Sequence, residues 1–240
     1  MAGLSRSLGA SAVALLLGLS GAGAAASSSL SVPSHVPAAQ RARLESIARD
    51  ALVSTRVEGQ THFMQPEVFE YLLDHPEFAS HVTRALRLAR YRIWQDAGER
   101  WLDDGWGTRG RFVLVHAEPG RRVFHARGAY ETRFLPDMRG EAVAILEYTF
   151  RPAGDGRTLV ESWATGYLQV DNGFLRVLGR VARPFVQAKA DKEAGQLLRV
   201  FARVSRAIEE NAAAVYQRVR ERPDVPGPEL HLFRGLLRLP

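Results

Sequence analysis

The chain has 240 residues, no cysteine and a formal net charge of +6. The missing cysteines exclude a disulfide-stapled scaffold, so an apolar core must hold the fold, while the basic balance permits weak attraction to anionic surfaces. Lys189 and Lys192 are the only lysines among 32 basic residues, a bias that base composition explains before function does.

Residues 1–26 read as a secretory signal: Arg6, an apolar run through Val13 and Leu15 to Leu17, then small residues Ala22 to Ala26 suited to a cleavage site. Gly18, Ser20, Gly21 and Gly23 dilute the run too much for a spanning anchor. An exported protein, periplasmic or secreted, is the expectation. Residues 27–37 are rich in serine and proline and read as a tether. Across 38–53, Leu44, Ile47, Ala51 and Leu52 fall at helical spacing. A strand is expected from Val57 to Phe63. Pro66 suits a first helical turn ahead of Val68, Phe69 and Leu72. Asp74-His75-Pro76-Glu77 then has the pattern of a capping box opening a second short helix.

From Arg90 the apolar period changes to two. Tyr91 and Ile93 share one strand face, and Asp103-Asp104-Gly105 marks a turn. Phe112, Leu114 and His116 share a face in the next strand, followed by Phe124, Ala126, Gly128 and Tyr130, then Ala142, Ala144, Leu146, Tyr148 and Phe150, then Ser162, Ala164, Gly166 and Leu168. These are long antiparallel strands joined by tight turns. After Asp171-Asn172-Gly173 a long helix is expected, with Phe174, Leu178, Val181, Phe185, Leu197, Phe201, Val204, Ile208 and Val215 as its apolar stripe. Pro184 is expected to kink or split it. Arg199, Arg203 and Arg206 leave its outer side basic. Residues 221–240 form a proline-rich linker and a leucine-rich tail that is expected to dock on its own domain.

The segments Pro66-Glu67-Val68-Phe69-Glu70-Tyr71-Leu72 and Asp74-His75-Pro76-Glu77-Phe78, with the closing stripe from Arg183 to Val215, carry a resemblance to the START-like helix-grip (SRPBCC) superfamily. Lipid-transfer domains, birch-pollen-type allergens and polyketide cyclases belong to it. The resemblance covers about Val57 to Val215 and implies an α+β helix-grip fold over 54–220: a curved antiparallel sheet of six to seven strands around a long C-terminal helix, with two short helices after the first strand. It also implies an apolar ligand held between sheet and helix. The residues expected to contact that ligand are Phe112, Leu114, His116, Phe124, Ala126, Gly128, Tyr130, Ala144, Leu146, Tyr148, Ala164 and Gly166 on the sheet, with Leu178, Phe185 and Phe201 on the helix.

No nucleophile elbow, phosphate loop, dinucleotide fingerprint or metal-ligand spacing occurs. Glu147 and Glu161 alternate away from the small-residue faces, which disfavours a carboxylate pair at a reacting centre. Carriage of a lipid or other hydrophobic small molecule is therefore expected, without cofactor, metal or nucleic acid. Two alternatives stay open: a cyclase or aromatase using His116 or Tyr148 to place a proton, and an interaction module using the arginine helix and leucine tail. An anionic membrane surface is a further expected partner for that helix. Trp94, Trp101, Trp106 and Trp163, with Tyr91 and Tyr167, are candidates to frame a pocket entrance.

Overall fold

The computed structural model describes residues 30, 32–131, 138–171 and 183–240. The signal segment, the Asn172-Gly173 turn, Phe174, Leu178 and Val181 lie outside the described residues, as does the side chain of Phe185. Eight strands make one antiparallel sheet: β1 (Val53–Glu58), β2 (His62–Phe63), β3 (Arg92–Asp96), β4 (Glu99–Asp103), β5 (Thr108–Glu118), β6 (Arg121–Tyr130), β7 (Met138–Pro152) and β8 (Thr158–Val170). Their order across the sheet is β1-β8-β7-β6-β5-β4-β3, and β2 also pairs with β8.

Two strand boundaries differ from expectation. The segment Val57 to Phe63 is not one strand: β1 starts at Val53, and Gly59 to Thr61 separates it from β2. Helix α1 (Ala38–Arg49) accordingly stops short of Val53, because the Leu52 amide already donates to the Leu168 carbonyl at 2.8 Å. The second difference is the β3-β4 hairpin, turned by Ala97 and Gly98, both at positive φ (48° and 82°). Alanine is an unusual residue for this tight turn, so the sequence conceals it.

Helices α2 (Pro66–Asp74) and α3 (Pro76–Ala85) start on prolines whose missing amides are not needed in a first turn. They bury Val68, Phe69, Leu72 and Leu73, then Phe78, Ala79 and Val82, against the sheet. The expected capping box does not form. Asp74 is the last residue of α2, His75 takes the cap position of α3 without a side-chain bond, and the Asp74 carboxylate instead receives Arg122 Nε at 3.0 Å.

Helix α4 (Arg183–Arg220) lies along β1, β2 and β8. Gln187 Nε2 donates to the Ser54 carbonyl at 2.8 Å and Ser205 Oγ to the Phe63 carbonyl at 2.6 Å, which fastens it at both ends of that edge. Pro184 sits in the first turn of the described helix, with the segment before it outside the described residues, and a further break comes at Asn211 (φ −162°, ψ 84°). There Asn211 Oδ1 accepts the Ala214 amide at 2.8 Å and caps a fresh helical segment.

The tail forms α5 (Gly227–Leu236) and docks on the domain's own α2 and α3. Phe233 is fully buried with its ring 5.1 Å from that of Phe78. Asp224, paired with Arg84 at 3.1 Å, pins the preceding linker. On the opposite side of the sheet, α1 buries Leu44 and Ile47 against Val123, Val143 and Ile145. The result is three layers, with α1 on the convex face and α2 to α4 on the concave one. A curved antiparallel sheet around a long C-terminal helix, with two short helices after the first strands, is a helix-grip α+β fold.

A row of glycines runs across the sheet: Gly110 pairs with Gly128, and Gly128 with Gly140. A Cβ on Gly128 would stand 2.6 Å from the Arg109 carbonyl oxygen and 2.9 Å from Gly110 Cα. The missing side chains let three adjacent strands bend sharply along one line, and the crease supplies the curvature that opens the concave face.

Candidate ligand cavity

Between the creased sheet and α4 lies a cavity of about 570 Å³ with almost wholly apolar walls. The register puts one small or aromatic residue from each strand on its floor: Phe112 pairs with Ala126 and Ala126 with Ala142, while Phe124 pairs with Ala144 and Ala144 with Gly166. Leu72, Leu73 and Tyr91 line one part of the wall, and Val186, Ala190, Ala194, Leu197 and Phe201 of α4 form the roof. Gly166 faces β1, where a Cβ would meet Thr55 Cγ2 at 3.1 Å. Burial pushes the Tyr91 hydroxyl's pKa upward, and this group is bonded to Thr83, so it stays protonated and occupied.

Of the residues expected to contact a ligand, Phe112, Phe124, Ala126, Gly128, Tyr130, Ala144, Leu146, Ala164, Gly166 and Phe201 line the cavity. Leu114, His116 and Tyr148 do not. Leu114 pairs with Phe124 but sits beyond the cavity's end. A β-bulge between Leu114 and His116 breaks the alternation, so His116 pairs with Val123 and turns to the convex face. There its Nδ1 lies 2.9 Å from Nε2 of His35, a tether residue. A bulge shifts every later side chain by one position, and sequence alternation alone does not reveal it.

Tyr148 is on the concave side but packed under α2, against Phe69 at 5.0 Å. Its hydroxyl donates to Glu70 Oε1 at 2.6 Å and accepts from Arg122 Nη1 at 2.8 Å. Arg122, with a side chain only 6% exposed, also donates to Glu70 Oε2, to both oxygens of Asp74 and to the Glu118 carbonyl. Burial first, then the bond to Glu70, drives the Tyr148 pKa well above its ordinary value. Sequence reasoning passed over this network, although the alternation that placed Phe124 and Ala126 inward also points Arg122 inward.

Charged groups collect at the mouth. Lys189 Nζ lies 4.3 Å from the Tyr130 ring centre, 3.2 Å from Glu193 and 4.0 Å from Asp104. The Arg90 guanidinium covers the Trp106 ring at 5.1 Å. Of the aromatic candidates for an entrance, Tyr91, Trp106 and Tyr167 border the cavity. Trp94 and Trp101 instead stack on each other at 6.4 Å beneath Arg109, and Trp163 pairs across the sheet with Glu58 and Glu147. Glu147 and Glu161 face away from the cavity, paired with Arg56 and Arg151. Among the described residues no group of three or more His, Asp or Glu is placed to hold a metal ion.

No known family's profile matches this sequence, and no curated protein does. Solved structures with a similar outline include norcoclaurine synthase from Thalictrum flavum, at 14% identity over 66% of this chain and 88% of that one, with a TM-score of 0.35. A hypothetical protein from Helicobacter pylori is similar at 10% identity over 64% and 85%, TM-score 0.35. Ara h 8.0201 is similar at 9% over 55% and 92%, TM-score 0.30. The fold assignment rests on the strand order, the crease and the closing helix themselves.

Proposed function

We propose that this chain is an exported carrier that holds one apolar small molecule, of the lipid or polycyclic isoprenoid kind, between its sheet and α4. The cavity carries the reading: about 570 Å³ falls within the roughly 300 to 1,000 Å³ typical of small-molecule sites. Its floor of Ala126, Ala142, Ala144 and Gly166 leaves space that larger side chains would fill. Transport is favoured over proton-transfer chemistry because His116 lies on the far face and the Tyr148 hydroxyl is fully engaged by Glu70 and Arg122. The apolar leader at residues 1–26 supports export.

Native mass spectrometry of protein purified from its own envelope tests the reading. One bound apolar molecule per chain is expected, released on unfolding. Protein that emerges consistently empty and also ignores added fluorescent lipids contradicts it.

A further inference from the structure

We propose that the mouth of the cavity is a docking surface for anionic bilayers, with Trp106 as its interfacial anchor. Trp106 is 63% exposed, the most exposed large apolar side chain among the described residues. It is nevertheless held on a fixed turn. Asp103 Oδ1 accepts the Gly105 amide at 2.8 Å, and Asp104 Oδ1 accepts those of Trp106 and Thr108 at 2.6 and 2.9 Å. Gly105 and Gly107 supply the positive φ the turn requires, and the Glu131 amide closes it onto the Gly107 carbonyl at 2.9 Å. An indole presented this way combines apolar area with one N–H donor, the combination suited to a lipid headgroup layer.

Asp103 and Asp104 are engaged by the turn's own amides and Glu193 by Lys189, which leaves basic side chains as the free charge for an anionic partner. From Arg84 to Arg92 the chain carries four arginines and no acidic residue. Arg84 is tied to Asp224, whereas Arg87 and Arg90 are exposed and in no ion pair among the described residues, and Arg90 lies over the Trp106 ring. Leu197, 42% exposed on α4, adds an aliphatic contact where the roof meets the opening. Because Trp106, Arg90 and Leu197 border the cavity, docking here would let an apolar ligand pass between bilayer and cavity without crossing water. This purpose rests on the carrier reading; the docking itself does not.

Vesicle flotation of the full mature chain tests the proposal, using neutral phosphatidylcholine alone and phosphatidylcholine mixed with phosphatidylglycerol. Wild type is expected to float with the anionic vesicles, less at high salt, and hardly with neutral ones. Arg87→Glu with Arg90→Glu should weaken binding at least about tenfold, since each basic residue near such a surface contributes roughly fivefold. Brominated lipids should quench wild-type tryptophan fluorescence, and Trp106→Phe should abolish that quenching; its melting curve checks that it folds. Failure of wild type to float, quenching that persists in Trp106→Phe, or binding lost only in Arg199→Glu with Arg203→Glu on the outer side of α4 would each overturn it. A wild-type protein that binds lipid probe but no vesicle loses the docking surface and keeps the carrier reading.

Discussion

Arg122 shows how much of the domain's order hangs on one side chain. Its guanidinium joins β6 to α2 through Glu70 and Asp74 and orients Tyr148 from below. Removing it leaves Glu70 partly buried without a cation, a costlier defect than losing the bonds alone. Arg122→Ala should cost about 2 to 4 kcal/mol in urea denaturation, somewhat less than the roughly 3 to 5 kcal/mol of a fully enclosed pair, because Asp74 is nearly half exposed. Arg122→Lys should recover only part of that loss, since an ammonium cannot reproduce the planar fork.

His62 gives a residue-scale pH dependence. Its Nδ1 lies 2.9 Å from the Gln60 carbonyl, its Nε2 is buried without a partner among the described residues, and burial lowers its pKa from the ordinary 6.5. The unfolded chain therefore takes up the proton more readily than the folded one. The stability this group contributes is full well above pH 6.5 and is lost as the pH falls toward the folded pKa. His81, also lowered chiefly by burial, adds to the same trend. In denaturation series from neutral pH down to about 5, His62→Asn, which keeps a donor for Gln60, should show a shallower decline than wild type. An unchanged slope would remove His62 as a cause.

At the scale of elements, the glycine row and the bulge decide the shape of the site. Gly128→Ala should destabilise by about 1 to 3 kcal/mol, because a Cβ there meets backbone atoms of β5 that have no room to move. Gly154→Ala, in the β7-β8 turn with nothing within 4 Å of its Cβ position, should be neutral or stabilising by up to about 1 kcal/mol. Equal melting temperatures for the two would contradict the crease. The same elements explain what could be read from sequence. Regular alternation from Phe124 to Tyr130 and from Ala142 to Phe150 survives folding, so the phases of β6 and β7, and with them most of the cavity floor, were legible. The bulge at Val115, the hairpin at Ala97 and the helix break at Asn211 leave no such trace. Each depends on backbone geometry or a local bond that residue type does not announce. Gly128 lines the cavity, but its lack of a side chain chiefly admits the neighbouring strand.

At the scale of the whole molecule, the layers divide the work. The convex face is closed by α1 and the end of the sheet by α2, α3 and the docked tail, so apolar surface left unfilled gathers under α4. The concave face thus leaves an apolar cavity whose wall shares Leu72, Leu73, Leu146 and Ala164 with the packed core, and we propose that a ligand fills it. Ala144, flanked by Phe124 and Gly166 on the cavity wall, is a position where a larger side chain would fill the space. The direct measurement is titration of a neutral fluorescent hydrophobic probe into wild type and Ala144→Phe, with melting curves for both. Saturable one-to-one binding by wild type, lost or strongly weakened in Ala144→Phe at a nearly unchanged melting temperature, is the predicted result. Equal binding by the two proteins, or a large drop in the melting temperature of Ala144→Phe with no probe bound by wild type, would contradict an open ligand cavity.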